Sequence, residues 1–462
     1  MSPSSESMDG NKLHVAMFPW LAYGHMIPFL HLSNELAKRG HKVSVLLPKN
    51  ATLKLANRNL HPDLITFYAI TLPPVDGCPP GAETSSDTKD SLALARALDG
   101  TRDQVKAILT AADDKPDFIF FDFAYWIPEV ASEIGCKSVY FKVIGPTLSA
   151  LGLLVLPGRE KTLTASDLTE PPPEYPSSKV VLREHEARQV AQFANIPGNQ
   201  MTTLFERGFA GMKTCDALAM RTCKEVEGPF CDYIASHFGR RQMFYTGLIL
   251  PEIQEDPLED TILNWLEKFR PGSVVFCAFG NEWLMEKNQF QELILGFEKT
   301  GLPFLVALKP PKGAASIEEA LPEGFQERVK DRGMVLGWVP QTQVLAHKSI
   351  GCFVNHCGYG SMWEALMSHC QLVFVPNIID QTLNTRLMAD ELGVAVEVEK
   401  GENGWISKEN LCRAVRSVMD EDSEIGCLVR KNHRKWRQVV TRPGIMKDYV
   451  ESFIEDLHGL LG

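Results

Sequence analysis

His25, in "YGHMIP", and Asp122, in "FFDFAYW", are the residues whose types most directly suggest chemistry. His25 follows the turn that ends the first strand and lies at or near a helix start. A neutral imidazole there can accept a proton, and the positive end of the helix helps keep it neutral. Asp122 ends a strand of the same sheet and so reaches the same rim. A carboxylate bonded to one imidazole nitrogen fixes the tautomer and stabilises the imidazolium formed during proton transfer. The pair has no companion Ser or Cys nucleophile, which suits a general base acting on a hydroxyl of the substrate. Two plainer readings compete: a helix-start histidine that bonds a nearby loop, and an aspartate that caps the following helix.

A second constellation is "NHCGYGSMWEAL", residues 355–366. It reads as a strand end, a glycine-rich turn and a helix. Gly358 and Gly360 let a ligand approach the backbone, Ser361 adds a hydroxyl, and helix-start N–H groups favour a phosphate. His356 could donate to the same oxygens. Zinc is excluded for His356 with Cys357, because adjacent strand-end residues point to opposite faces and no second ligand pair lies nearby. Glu364, three residues after Ser361, shares its helix face and could accept from a ribose hydroxyl. Asp380 and Gln381, in "IIDQTLN", stand at the next helix mouth, where they suit a polyhydroxylated group or simply cap the helix. Trp338, in "VLGWVPQ", is either a stacking platform for a base or a core residue. The acidic run at 420–422 reads as a solvated face.

Other chemistries lack support. There is no G-x-G-x-x-G after a first strand, no G-x-x-x-x-G-K-[ST], no H-E-x-x-H and no G-x-S-x-G. The 58 acids against 47 bases give a net charge of −11, which disfavours a nucleic-acid binder. The polar start "MSPSSESMDGNK" lacks the apolar region of a secretory signal, and no apolar run is long enough to span a bilayer. Eleven scattered cysteines without C-x-x-C read as reduced thiols of a cytoplasmic protein.

These residues must be positioned by elements, and the chain supplies two alternating series. In the first, 12–20, 42–48, 117–123 and 137–145 read as strands and 25–40 as a helix stopped by Gly40. In the second, from about 273, 273–280, 303–309, 334–340, 352–358 and 371–377 read as strands, with helices between. Strands apolar on both faces predict parallel sheets covered by helices. At 462 residues the chain exceeds one core, so two α/β, doubly wound domains are expected, with ligands at the carboxyl ends of strands. The acidic, Pro-rich piece at 245–260 reads as the boundary between 1–248 and 249–439. The Pro-, Ser- and Thr-rich stretch at 163–179 reads as a surface excursion. An amphipathic helix ends the chain.

Trp338 to Gln381, read as one unit, resembles the signature box of plant UDP-dependent glycosyltransferases, and the "GH" of the first loop and Asp122 extend the likeness over the chain. The resemblance implies a GT-B fold of two Rossmann-like domains across a cleft, and an inverting transfer from a UDP-sugar co-substrate without metal or cofactor. It implies that Trp338 stacks on uracil, that Gln341 and Glu364 hold the ribose, and that His356 and Ser361 bind the diphosphate. Asp380 and Gln381 would bond the sugar, and Gly280, Asn281, Val339, Gly358, Tyr359 and Gly360 would complete the donor site. His25, oriented by Asp122, would deprotonate the acceptor, with Trp20, Phe123, Trp126 and Phe141 as apolar lining that could equally be core. The segment 440–462 would pack on the N-terminal, acceptor-binding domain, in a monomer with no partner beyond donor and acceptor. The chain departs from the family habit at Tyr359-Gly360, at Asn281 and at "HCQ" (369–371). The two changes within the box resemble the branch-forming subgroup, which adds a sugar to a flavonoid glycoside; direct transfer to an aglycone, and an idle UDP-sugar-binding protein, are the alternatives.

Overall fold

The computed structural model describes residues 12–88, 90–111, 115–155, 162–196, 200–239, 241–250, 258–280, 283–401 and 404–462. The chain forms two compact units. The first comprises Met1–Pro176, Ala187–Leu250 and Gly444–Gly462, the second Ser177–Glu186 and Pro251–Pro443.

The first unit is built on a seven-stranded sheet of β1 (His14–Phe18), β2 (Lys42–Pro48), β3 (Ile65–Ile70), β4 (Phe118–Phe121), β5 (Lys137–Lys142), β6 (Ala217–Met220) and β7 (Met243–Tyr245). All pairings are parallel, in the order β3-β2-β1-β4-β5-β6-β7. The inner strands β1 and β4 are buried along their whole length, which explains their unbroken apolar runs. The helix Tyr23–Ala37 returns from β1, and Gly40 makes the left-handed turn into β2 at φ 85°. The terminal helix Ile445–Leu461 belongs to this unit, where Phe453 meets Phe120 and Phe244 edge-on at 6.0 and 6.3 Å between ring centres.

The second unit holds a six-stranded parallel sheet of β8 (Val274–Ala278), β9 (Phe304–Ala307), β10 (Gly333–Leu336), β11 (Ile350–Asn355), β12 (Gln371–Phe374) and β13 (Val396–Glu397). Its order is β10-β9-β8-β11-β12-β13. In both sheets the strand order reverses beside the first strand, between β1 and β4 and between β8 and β11. Such a switch point opens a crevice at the strands' carboxyl ends.

The stretch 163–179 is not merely a surface excursion. Leu168 is fully buried, and Tyr175 packs edge-on against Phe230 and Tyr233. Its neighbour Ser177–Glu186, read from the sequence with the first 248 residues, clusters with the second unit.

Candidate active site

His25 and Asp122 sit at the first switch point, and Gly280 and His356 at the second; Trp338 and Gln341 follow β10, and Asp380 and Gln381 follow β12. In the first unit, His25 lies in the first turn of the helix that leaves β1, and Asp122 is the residue after β4. Asp122 Oδ2 is 2.6 Å from His25 Nδ1. Its other oxygen accepts from the backbone N–H of Trp20 at 2.6 Å and of Phe123 at 2.8 Å. The carboxylate is 2% exposed, so three hydrogen bonds hold it in one orientation. It does not cap a helix, because the following helix starts only at Ile127. With Nδ1–H donated to Asp122, the imidazole presents the lone pair of Nε2, the form a general base needs. Phe123 and Trp20 pack on each other at 5.4 Å, and Phe123 lies 5.7 Å from the His25 ring.

The structure does not bring the other two aromatic candidates to this pair. Phe141 is fully buried against Phe29 and Phe120, in a strand buried on both faces. Trp126 packs on Phe18, and its indole N–H donates to Asp99. A residue the sequence reading passed over is Lys142, at the end of β5. It is 8% exposed, and burial pulls its amine down to about 8 against the opposing effect of the Asp122 charge. A lysine inside "SVYFKVIG" was the available signal.

In the second unit, His356 follows β11 and fits between two glycines. A Cβ on Gly358 would come within 2.6 Å of His356 Nε2, and one on Gly280 within 3.2 Å of Cε1. Gly280 also adopts a positive φ of 65°. Burial lowers the His356 pKa to about 4, so the ring is neutral at pH 7. Its Nδ1 is buried with no hydrogen-bond partner among the described residues. The helix Tyr359–Met367 begins next, with Gly358 as an N-cap that offers no side chain. Cys357 turns inward: it is fully buried, its N–H donates to Asn355 Oδ1 at 2.8 Å, and its carbonyl accepts from Asn384 Nδ2 at 3.0 Å. The two asparagines hold it at φ 57°, a left-handed conformation costly for a side-chain-bearing residue. Neither asparagine was singled out from the sequence, although Asn355 opens the motif.

Buried Tyr359, Met362 and Trp363 anchor this helix, leaving Gly360, Ser361 and Glu364 on its more open side. Gln341, the first residue of the helix after β10, donates to Glu364 Oε2 at 2.6 Å and to Ser361 Oγ at 3.3 Å. Trp338 is 68% exposed, which removes the core reading, while Val339 is buried. Asp380 and Gln381 lie in the first turn of the helix Ile379–Thr385. The Gln381 side-chain oxygen accepts from the N–H of Asn377 at 2.9 Å, which fixes the amide and leaves its NH₂ as the available donor. Asn281 lies outside the described residues.

Each sheet switches strand order beside its first strand, as a GT-B fold requires, and solved structures of that fold match along the chain. The crystal structure of UGT89C1 from Arabidopsis thaliana in complex with UDP-L-rhamnose superposes with a TM-score of 0.74 at 23% identity, over 96% of this chain and 99% of that one. The family described as UDP-glucoronosyl and UDP-glucosyl transferase matches residues 316–431. UDP-glycosyltransferase 79B6 of Arabidopsis thaliana is 53% identical over 456 residues, 98% of both chains. Anthocyanidin 3-O-glucoside 2'''-O-xylosyltransferase of the same plant is 50% identical over 461 residues, again 98% of both. The chain therefore belongs to the UDP-glycosyltransferase family and is an enzyme of that class. Among its described residues no helix is long and apolar enough to cross a membrane.

Proposed function

We propose that the enzyme transfers a sugar from a UDP-sugar to a hydroxyl on the sugar of a flavonoid-type glycoside, with inversion and without a metal. The carrying observation is the half-identity, end to end, with a relative named for xylosyl transfer to an anthocyanidin 3-O-glucoside. In this reading His25 Nε2 takes the acceptor hydroxyl's proton while Asp122 holds the other side of the ring. The acceptor oxygen bonds to the anomeric carbon as the carbon–oxygen bond to UDP breaks, and UDP leaves with the electron pair. Its charge is met by His356, by Ser361 and by the N-terminus of the helix Tyr359–Met367. Trp338 stacks on the uracil beside Val339, Gln341 and Glu364 hold the ribose, and Asp380 and Gln381 bond the sugar. The glycines at 280, 358 and 360, with Tyr359, shape the cradle. Residues 1–248 with 440–462 bind the acceptor and 249–439 the donor, except that Ser177–Glu186 goes with the donor unit. We place the enzyme in the cytoplasm, a reading its eleven unpaired cysteines support, and take it to act as a monomer.

The test is a matrix of UDP-glucose, UDP-xylose and UDP-rhamnose against flavonol and anthocyanidin aglycones and their 3-O-glucosides, read by product mass. Products from the glucosides but not the aglycones are expected. Turnover of bare aglycones with the glucosides ignored would refute the acceptor assignment.

A further inference from the structure

Behind the helix that carries Asp380 and Gln381 lies a charge cluster that the proposed chemistry does not use. Arg386 opens the π-helical turn Arg386–Glu391 directly after that helix, and its side chain is 2% exposed. Its guanidinium donates to both carboxylate oxygens of Glu186, at 2.8 and 3.0 Å, and to Glu397 Oε2, with Asp390 3.8 Å away. Glu397, at the end of β13, also accepts from Arg183 at 2.8 Å. Burial raises the Glu397 carboxyl, and the charges of Arg386, Arg183 and Lys400 oppose that rise. Lys400, the third cation acting on Glu397, donates to the carbonyl of Pro376. The loop and helix 377–385 are thus attached at both ends to one cluster: through Lys400 upstream and through Arg386 downstream.

The partners of Arg386 and Glu397 include two residues from far earlier in the chain. Glu186 and Arg183 come from Ser177–Glu186, and Ser177 Oγ adds a 2.7 Å bond to Glu391 on the π-helical turn. A guanidinium this deeply buried stays where its carboxylates are, because leaving either one unmatched strands a charge away from water.

We propose that Glu186 and Arg386 are positioning residues for the sugar end of the donor site: the Ser177–Glu186 segment, through Arg386, sets where Asp380 and Gln381 stand. The inference rests on the reading that those two residues hold the donor's sugar. A cluster that only stabilised the fold would affect UDP and UDP-sugar alike. One that positions the sugar contacts would weaken the UDP-sugar selectively.

The experiment compares Glu186→Gln, Glu186→Asp, Arg386→Met and Gln381→Ala with the wild-type enzyme. The donor is whichever of UDP-glucose, UDP-xylose and UDP-rhamnose supports turnover, and UDP serves as competitive inhibitor. Glu186→Gln keeps the side-chain shape at a partly exposed position, so it remains informative where Arg386→Met fails to fold. Expected are a roughly five- to tenfold rise in donor KM for Glu186→Gln, a UDP inhibition constant within about twofold of wild type, and partial recovery in Glu186→Asp. Equal weakening of UDP and UDP-sugar overturns the inference, as does an unchanged donor KM in Glu186→Gln while Gln381→Ala raises it. An unchanged donor KM in Gln381→Ala overturns the sugar-contact reading itself, and the inference with it.

Discussion

Gly358→Ala isolates the part played by His356. Gly358 has φ −60° and ψ 146°, which alanine adopts without strain, so the substitution acts only through its methyl group. That methyl would stand 2.6 Å from Nε2, 3.2 Å from Cε1 and 3.3 Å from Cδ2 of His356. Ordinary contact begins near 3.4 Å, so the ring must give by most of an ångström. Gly280 also lies against the Cε1–Nε2 edge, and the Phe279 ring is 6.4 Å away, so the imidazole has little free space beside it. A donor moved that far from a phosphate oxygen loses its hydrogen bond, and bonds to charged groups are worth about 1.5–3 kcal/mol. UDP affinity should therefore fall roughly 10- to 150-fold, as measured by calorimetric titration. Overpacking should cost the fold about 1–3 kcal/mol, visible as a lower melting temperature. A variant that melts lower yet binds UDP within about twofold of wild type would refute the placement of His356 at the diphosphate.

His25→Ala should lower kcat by at least about 100-fold, the scale of a lost general base, with UDP affinity unchanged. Asp122→Asn should also lower kcat, because the amide cannot stabilise the imidazolium, and pre-steady-state turnover should locate the loss in the transfer step. Gly351→Ala would drive a methyl to 1.9 Å from the backbone oxygen of Gly272, and denaturant titration should show a loss of at least about 2 kcal/mol. The fifth prediction concerns acid. His356 has a folded-state pKa of about 4 against 6.5 in the unfolded chain, so below pH 6.5 the unfolded state binds the proton first. Its contribution is present above 6.5 and is lost as the pH falls towards 4, amounting to about 2 kcal/mol by pH 5. His356→Gln should flatten the pH dependence of unfolding by that amount, and an unchanged slope would contradict the neutral, half-buried ring.

The β–α–β rhythm and the pairing of His25 with Asp122 could be read from the sequence because strands buried on both faces leave continuous apolar runs. The switch-point logic then brings strand ends together. The shortest elements left no such signal: β13 is two residues long, and β7 only three. The choice between core and lining for Phe141 could not be read from β5, because the strand is buried on both faces and an aromatic residue suits either. The burial of Leu168 and Tyr175 was masked by the prolines around them, which mark irregular backbone without saying what it packs on. Glu186 and Arg386 are 200 positions apart. Charge type alone could not pair them, since the sequence offers 58 acids and 47 bases.

The last helix has a consequence for synthesis in the cell. Phe453 covers Phe120 and Phe244 in the core of the first sheet, yet more than three hundred residues separate it from Phe120. At about 5–20 residues per second, the ribosome needs roughly 15–70 s between the two. The seven strands of that sheet are therefore complete long before this helix exists, and the apolar patch around Phe120 and Phe244 stays open until it emerges. A stop codon a few turns early would leave the candidate active-site residues intact. It would deliver a first unit with that patch uncovered, prone to aggregation and to proteolysis.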